Sequence, residues 1–152
     1  MNDIQQKQIN LLKFHLQLLE DSLSTLQLSF NKCKKMGLKQ NYSFEELESF
    51  DSLTSKFART SDIFTQKVLR SIFIIIREEN GTFIDRINKA EKFGFITNAD
   101  DLIAIRDLRN QIAHEYISEK VVRLFEDIFE LMNPLVLSIN LAKEYISKIL
   151  KQ

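Results

Sequence analysis

The stretch LLKFHLQLLEDSLSTLQLSF, residues 11–30, decides the fold. Within it Leu12, Leu16, Leu19, Leu23, Leu26 and Phe30 step by four and three in alternation. Steps of that size return to one side of a 3.6-residue helix and draw a single apolar stripe. Neither glycine nor proline interrupts the chain before Gly37. The spacing therefore predicts one helix from about Asp3 to Met36, and Gly37 is placed to end it as a left-handed C-cap.

The same pattern repeats toward the C-terminus. After the loop GLKQNYS, Ser43 and Glu46 have the spacing of a capping box. Phe50, Leu53, Phe57, Phe64, Val68 and Ile75 then carry a second stripe, which predicts a helix from about Phe44 to Arg77. The all-apolar run Ile72–Ile76 reads as helix buried on several sides, because it has helical flanks and no turn residues. Glu78-Glu79-Asn80-Gly81 is a turn. A short third helix covers about Thr82 to Phe93 and stops at Gly94. Thr97 or Asn98 caps a fourth, running to about Glu115, with Asp100 and Asp101 in its first turn where the dipole favours them. Ser118 can cap a fifth helix reaching about Leu150, and Pro134 inside it predicts a kink near Leu131–Pro134. Short connections make successive helices antiparallel neighbours. The expected fold is all-α, an up-and-down bundle of four long helices and one short one, in a single domain over 1–152.

Composition agrees. Glycine (3) and proline (1) are scarce in 152 residues, and sheets need frequent turn residues. Lys+Arg and Asp+Glu balance at 21 each, so no global field draws the protein onto RNA or a membrane, and any nucleic-acid contact must be local. A lone cysteine, Cys33, leaves no internal disulfide and no zinc framework, and reads as a small buried or half-buried residue. The N-terminus lacks the basic-then-apolar pattern of a signal peptide, and SIFIII (71–76) is too short to span a bilayer. A cytoplasmic protein without a membrane segment is expected.

The chain has two histidines. His15 has no acidic or nucleophilic pattern beside it and reads as structural or exposed. His114 lies in RDLRNQIAHEY, residues 106–116, beside two arginines, an asparagine and a tyrosine. On a helix Arg106, Asn110 and His114 follow one another by single turns, whereas Arg109 and His114 stand about 140° apart around the axis. One helix does not obviously bring Arg109 and His114 to one phosphate. A second copy across a two-fold axis would supply the missing groups. No carboxylate–histidine cluster for a metal, no Gly-rich phosphate loop and no serine or cysteine elbow accompanies them. An imidazole, a permanent cation and a neutral amide suit metal-independent RNA cleavage: His114 moves the proton of the 2′-hydroxyl or the leaving oxygen, Arg109 stabilises the phosphorane, and Asn110 orients the phosphate or the imidazole. DNA lacks the 2′-hydroxyl, so this route selects RNA. The plain alternative is that Arg109 and His114 only complement the helix dipole.

RNQIAHEY (109–116) resembles the motif of HEPN domains, and more narrowly the Arg-x4-His-x-Tyr form of HepT-like toxins. An arginine and a tyrosine flank a given histidine at those offsets by chance roughly once in a thousand at this composition. The resemblance implies an all-α homodimer with a shared ribonuclease cleft and no cofactor of its own, the toxin of a type VII-like pair. It implies a minimal nucleotidyltransferase (MNT) antitoxin that spends ATP to transfer AMP to Tyr116. Phosphates on Tyr116 would then stand where RNA must bind beside Arg109. Transfer RNA is one type of target in the family. An alternative within the resemblance is a non-catalytic substrate-binding or accessory subunit of a nucleotidyltransferase. A plain structural bundle that dimerises through phenylalanine-rich faces is a third reading, outside the resemblance.

The remaining polar residues divide between site and surface. Arg106 can bind RNA phosphate or pair with Asp107, and Glu115 can orient His114 or be solvated. Arg59 and Asp62, three apart, line the cleft or a partner contact, or form a surface ion pair with each other. Tyr42 and Tyr145 have no motif around them.

Overall fold

The computed structural model of the chain describes residues 2–114 and 118–151, with the backbone alone described over 118–122. Among the described residues all regular structure is helical. Helix α1 spans Asp3–Met36, α2 Phe44–Asp62, α3 Leu69–Ile76, α4 Phe83–Phe93, α5 Ala99–His114 and α6 Ser118–Leu150. A π-helical segment, Ile63–Val68, joins α2 to α3 without a break. The single second helix expected from the sequence is thus three helical pieces in a row. A π-turn admits one extra residue per turn, which shifts the apolar stripe around the axis without ending the helix.

The leading stripe behaves as its spacing predicts. Leu12, Leu19, Leu26 and Cys33, each seven residues apart, are completely buried, and Leu16, Leu23 and Phe30 pack half-buried beside them. Opposite lie Phe50, Leu53 and Phe57 of α2, Phe64 and Val68 of the π segment, and Ile72 and Phe73 of α3. The expected burial of Ile72–Ile76 on several sides holds only in part. Ile74 is exposed, and Ile75 and Ile76 are half-buried, because this last turn has neighbours on one side. Phe95 and Phe125 complete the aromatic interior.

Side-chain contacts fix the directions. His15 meets Ser71, Ser22 meets Thr60 and Ser29 meets Lys56, so α1 runs antiparallel to the α2–α3 rod. Glu20 pairs with Lys143, and Phe30 with Phe129, so α6 runs antiparallel to α1 as well.

The helix ends follow local chemistry. Asn2, Ser43 and Thr82 form capping boxes with Gln5, Glu46 and Asp85. Gly37 has φ 70° and ψ −176°, so it ends α1 in an extended glycine conformation in place of the left-handed cap expected. Gly94 does take the left-handed cap of α4, and Arg77, at φ 59°, takes that of α3. Pro134 stands inside α6, whose helical run continues through it.

Candidate functional site

Helix α5 is anchored at its start and open at its end. Asn98 accepts from the Asp101 N–H at 2.8 Å, satisfying one of the free donors of the first turn. The Thr97 N–H donates to Ser138 of α6 at 3.0 Å. Leu102, Ile105 and Leu108 are buried, at steps of three, and set the inner face. That fixes the rotation of the helix, so Arg109 emerges at the edge of the core, half-buried, while Asn110 and His114 are exposed.

Arg109 does not reach into open solvent. Its Nε donates to both carboxylate oxygens of Asp62 at the end of α2, at 2.9 and 3.1 Å, and its Nη2 donates to Oδ2 at 2.9 Å. This bidentate pair spans 47 residues of sequence. Its hydrogen bonds to Asp62, and then the charge of that carboxylate, push the guanidinium pKa further up, so Arg109 stays a cation. Two of its five N–H groups are engaged, which leaves three for an incoming anion. The expectation that Asp62 pairs with Arg59 is therefore corrected. Among the described residues Arg59 makes no ion pair with Asp62, because the carboxylate turns across the helix interface to the planar fork of Arg109.

The Arg109–Asp62 pair sits on the wall of an open groove of about 910 Å³. Leu18, Ala58, Ile63, Ile112 and Ala113 give it an apolar floor, and Arg59, Gln66 and Lys67 complete its polar rim. Three cations (Arg59, Lys67, Arg109) face one carboxylate (Asp62), so the groove is net positive although the whole chain is neutral. A groove of this kind takes an anion with some apolar surface.

The structure brings together only part of the motif. His114 is the last residue of α5, exposed, and does not line the groove that holds Arg109. Asn110, one turn earlier, is exposed too. Arg106 lies with its guanidinium 4.4 Å above the Phe83 ring and its Nη2 3.8 Å from Asp107, the neighbour the sequence offered as its partner. Glu115 and Tyr116 lie outside the described residues.

Sequence reasoning missed Asp62 as the partner of Arg109, and the groove residues Gln66 and Lys67. It also missed the partner of His15, whose Nδ1 lies 2.7 Å from the buried Ser71 hydroxyl. Burial, and then the charge of Lys67, lower the His15 pKa. Cys33 is buried, and burial raises its thiol pKa to about 11, which leaves it a packing residue and not a nucleophile. Among the described residues no group of three or more His, Cys, Asp or Glu converges as metal ligands, and no helix is long and apolar enough to cross a membrane.

No family model, no curated protein and no solved structure matches the chain.

Proposed function

We propose that this chain is a HEPN-like, metal-independent endoribonuclease, the toxin half of a type VII-like toxin–antitoxin pair that acts as a homodimer. One observation carries the reading: a guanidinium fixed in two directions by Asp62 stands on the wall of a net-positive groove, on the same helix end that exposes Asn110 and His114. In this reaction the ribose 2′-oxygen attacks phosphorus and the 5′-oxygen leaves. The products are a 2′,3′-cyclic phosphate and a 5′-hydroxyl. His114 takes the 2′-proton or protonates the leaving oxygen. Arg109 offers its three unengaged donors to the oxygens that gain charge, and Asn110 orients the phosphate.

Because His114 does not line the groove of its own chain, the reading requires a second copy to deliver it. Leu11 and Phe14, both exposed on α1, continue the apolar edge that Leu18 begins in the groove, and such a strip suits a subunit contact. Control would come from an MNT nucleotidyltransferase that attaches AMP to Tyr116, two residues beyond His114, and fills the cleft with negative charge.

The same geometry also favours a second reading. Arg109 is already paired, and His114 is off its groove, as a binding subunit without catalysis would have them. Expression of wild type and of His114→Ala separates the two. Growth arrest with fragmented RNA in wild type only supports the nuclease, and identical behaviour of both supports the binding subunit. Incubation with ATP and a co-encoded nucleotidyltransferase, read by intact mass, tests the switch. Adducts that persist in Tyr116→Phe would remove Tyr116 from it.

A further inference from the structure

Arg86 of α4 is only 3% exposed, yet it has no carboxylate partner among the described residues. Its Nη1 donates to the Gly81 carbonyl at 3.3 Å and its Nη2 reaches the Gln66 side-chain oxygen at 3.5 Å, the outer limit of a hydrogen bond. Its Nε is buried and has no hydrogen-bond partner among the described residues. The neighbouring carboxylate, Asp85, is turned away to cap its own helix through the Thr82 N–H. Burial, and then the like charge of Arg70 on α3, lower the Arg86 pKa. A buried guanidinium normally has a counter-ion, because an uncompensated buried charge is strongly destabilising. Arg86 has none among the described residues. Gln66, exposed and loosely held, is shared between this corner and the groove of Arg109.

We propose that Arg86, with Gln66 as the gate, binds a phosphate group that enters from the groove. The anion supplies the missing counter-charge. The Gln66 amide swings off Nη2, and the freed edge of Arg86 takes two phosphate oxygens in the bidentate manner of guanidinium. The phosphate is either a free anion or one unit of a polynucleotide backbone. That it belongs to the RNA strand gripped by Arg109 rests on the function proposed above, whereas the anion site itself does not.

Thermal melting of the full chain in inorganic phosphate, against chloride of equal ionic strength, tests the site. Wild type gains about 3–6 °C at tenfold excess over Kd. Arg86→Met gains nothing and melts no lower than wild type in chloride, since it removes a buried charge that has no counter-ion. Arg70→Gln, an exposed change that leaves packing alone, reduces the gain. His114→Ala keeps it, so loss of cleavage and loss of this site are read separately. No gain in wild type, or an equal gain in Arg86→Met, overturns the proposal. Oligouridylate binding across a salt series then identifies the source. If the RNA backbone occupies the corner, log Kd against log salt flattens by about 0.7 in Arg86→Met, one phosphate contact on a single strand. An unchanged slope with the phosphate gain still dependent on Arg86 supports the site for a free anion.

Discussion

Arg109 and Asp62 show how little stability a half-exposed ion pair supplies. Their side chains are 33% and 42% exposed, so water screens the pair and its net contribution is about 0.5 kcal/mol. Asp62→Asn should therefore change thermal stability by less than about 1 kcal/mol. Its effect belongs to the groove. Under the proposed function, removing the one carboxylate that faces three cations among the described groove residues should tighten RNA binding, while the freed guanidinium loses its fixed direction and cleavage slows about tenfold, or about 1.4 kcal/mol of barrier. Tighter binding with slower turnover marks a positioning residue, and wild-type values for both would remove Asp62 from the mechanism. His15 makes a different kind of prediction. Burial and Lys67 hold its folded pKa below the ordinary 6.5. A histidine lowered in this way stabilises the fold while it is neutral. That contribution is complete above the unfolded value and is lost as pH falls through 6.5 toward the lower folded value. Melting temperatures near pH 7.5 and near pH 5 should therefore differ more in wild type than in His15→Gln. Equal differences would mean that the Ser71 contact does not depend on the proton.

At the scale of elements, the sequence was legible wherever the signal is local. The step of Leu12, Leu19 and Leu26 announces α1, and Ser43 with Glu46 announces the start of α2. Such patterns are decided within a few residues, by the period of the helix and by donors that need partners. The π segment was not legible. One extra residue in a turn leaves an apolar stripe that still reads as plain helix, and only packing against α1 and α3 decides which ladder forms. The site divides the same way. Arg109, Asn110 and His114 stand out by spacing, but Asp62 and Ser71 lie 47 and 56 residues from the groups they bind, and no local pattern joins them. The caps give this scale its prediction. Thr82 and Asp85 each satisfy a free N–H of the other at 3.2 and 3.0 Å, so Thr82→Ala should cost about 1 kcal/mol in denaturant melts. Asp85→Ala added to it should cost much less than it does alone, since the two changes break one reciprocal motif. Strict additivity would show two independent caps.

At the scale of the molecule, the arrangement of helices separates the two groups that the proposed chemistry must unite. Leu102, Ile105 and Leu108 lock α5 against the core, so the helix cannot roll to bring His114 round to the groove of Arg109. Within one chain the pair stays split by the 3.6-residue period itself. In the proposed homodimer a two-fold partner would resolve this without moving any packed element, each copy presenting its exposed helix end to the other's groove. The arrangement has a quantitative consequence. Arg109→Ala and His114→Ala should each be inactive as homodimers. Mixed in equal amounts and allowed to exchange, half the dimers are hybrids, and in each hybrid one of the two composite sites has an intact arginine from one chain and an intact histidine from the other. About a quarter of wild-type RNA cleavage should return. Native mass spectrometry of the mixture establishes that hybrids form. Hybrids present with cleavage still absent would mean that Arg109 and His114 must come from the same chain, and the shared cleft would have to be abandoned.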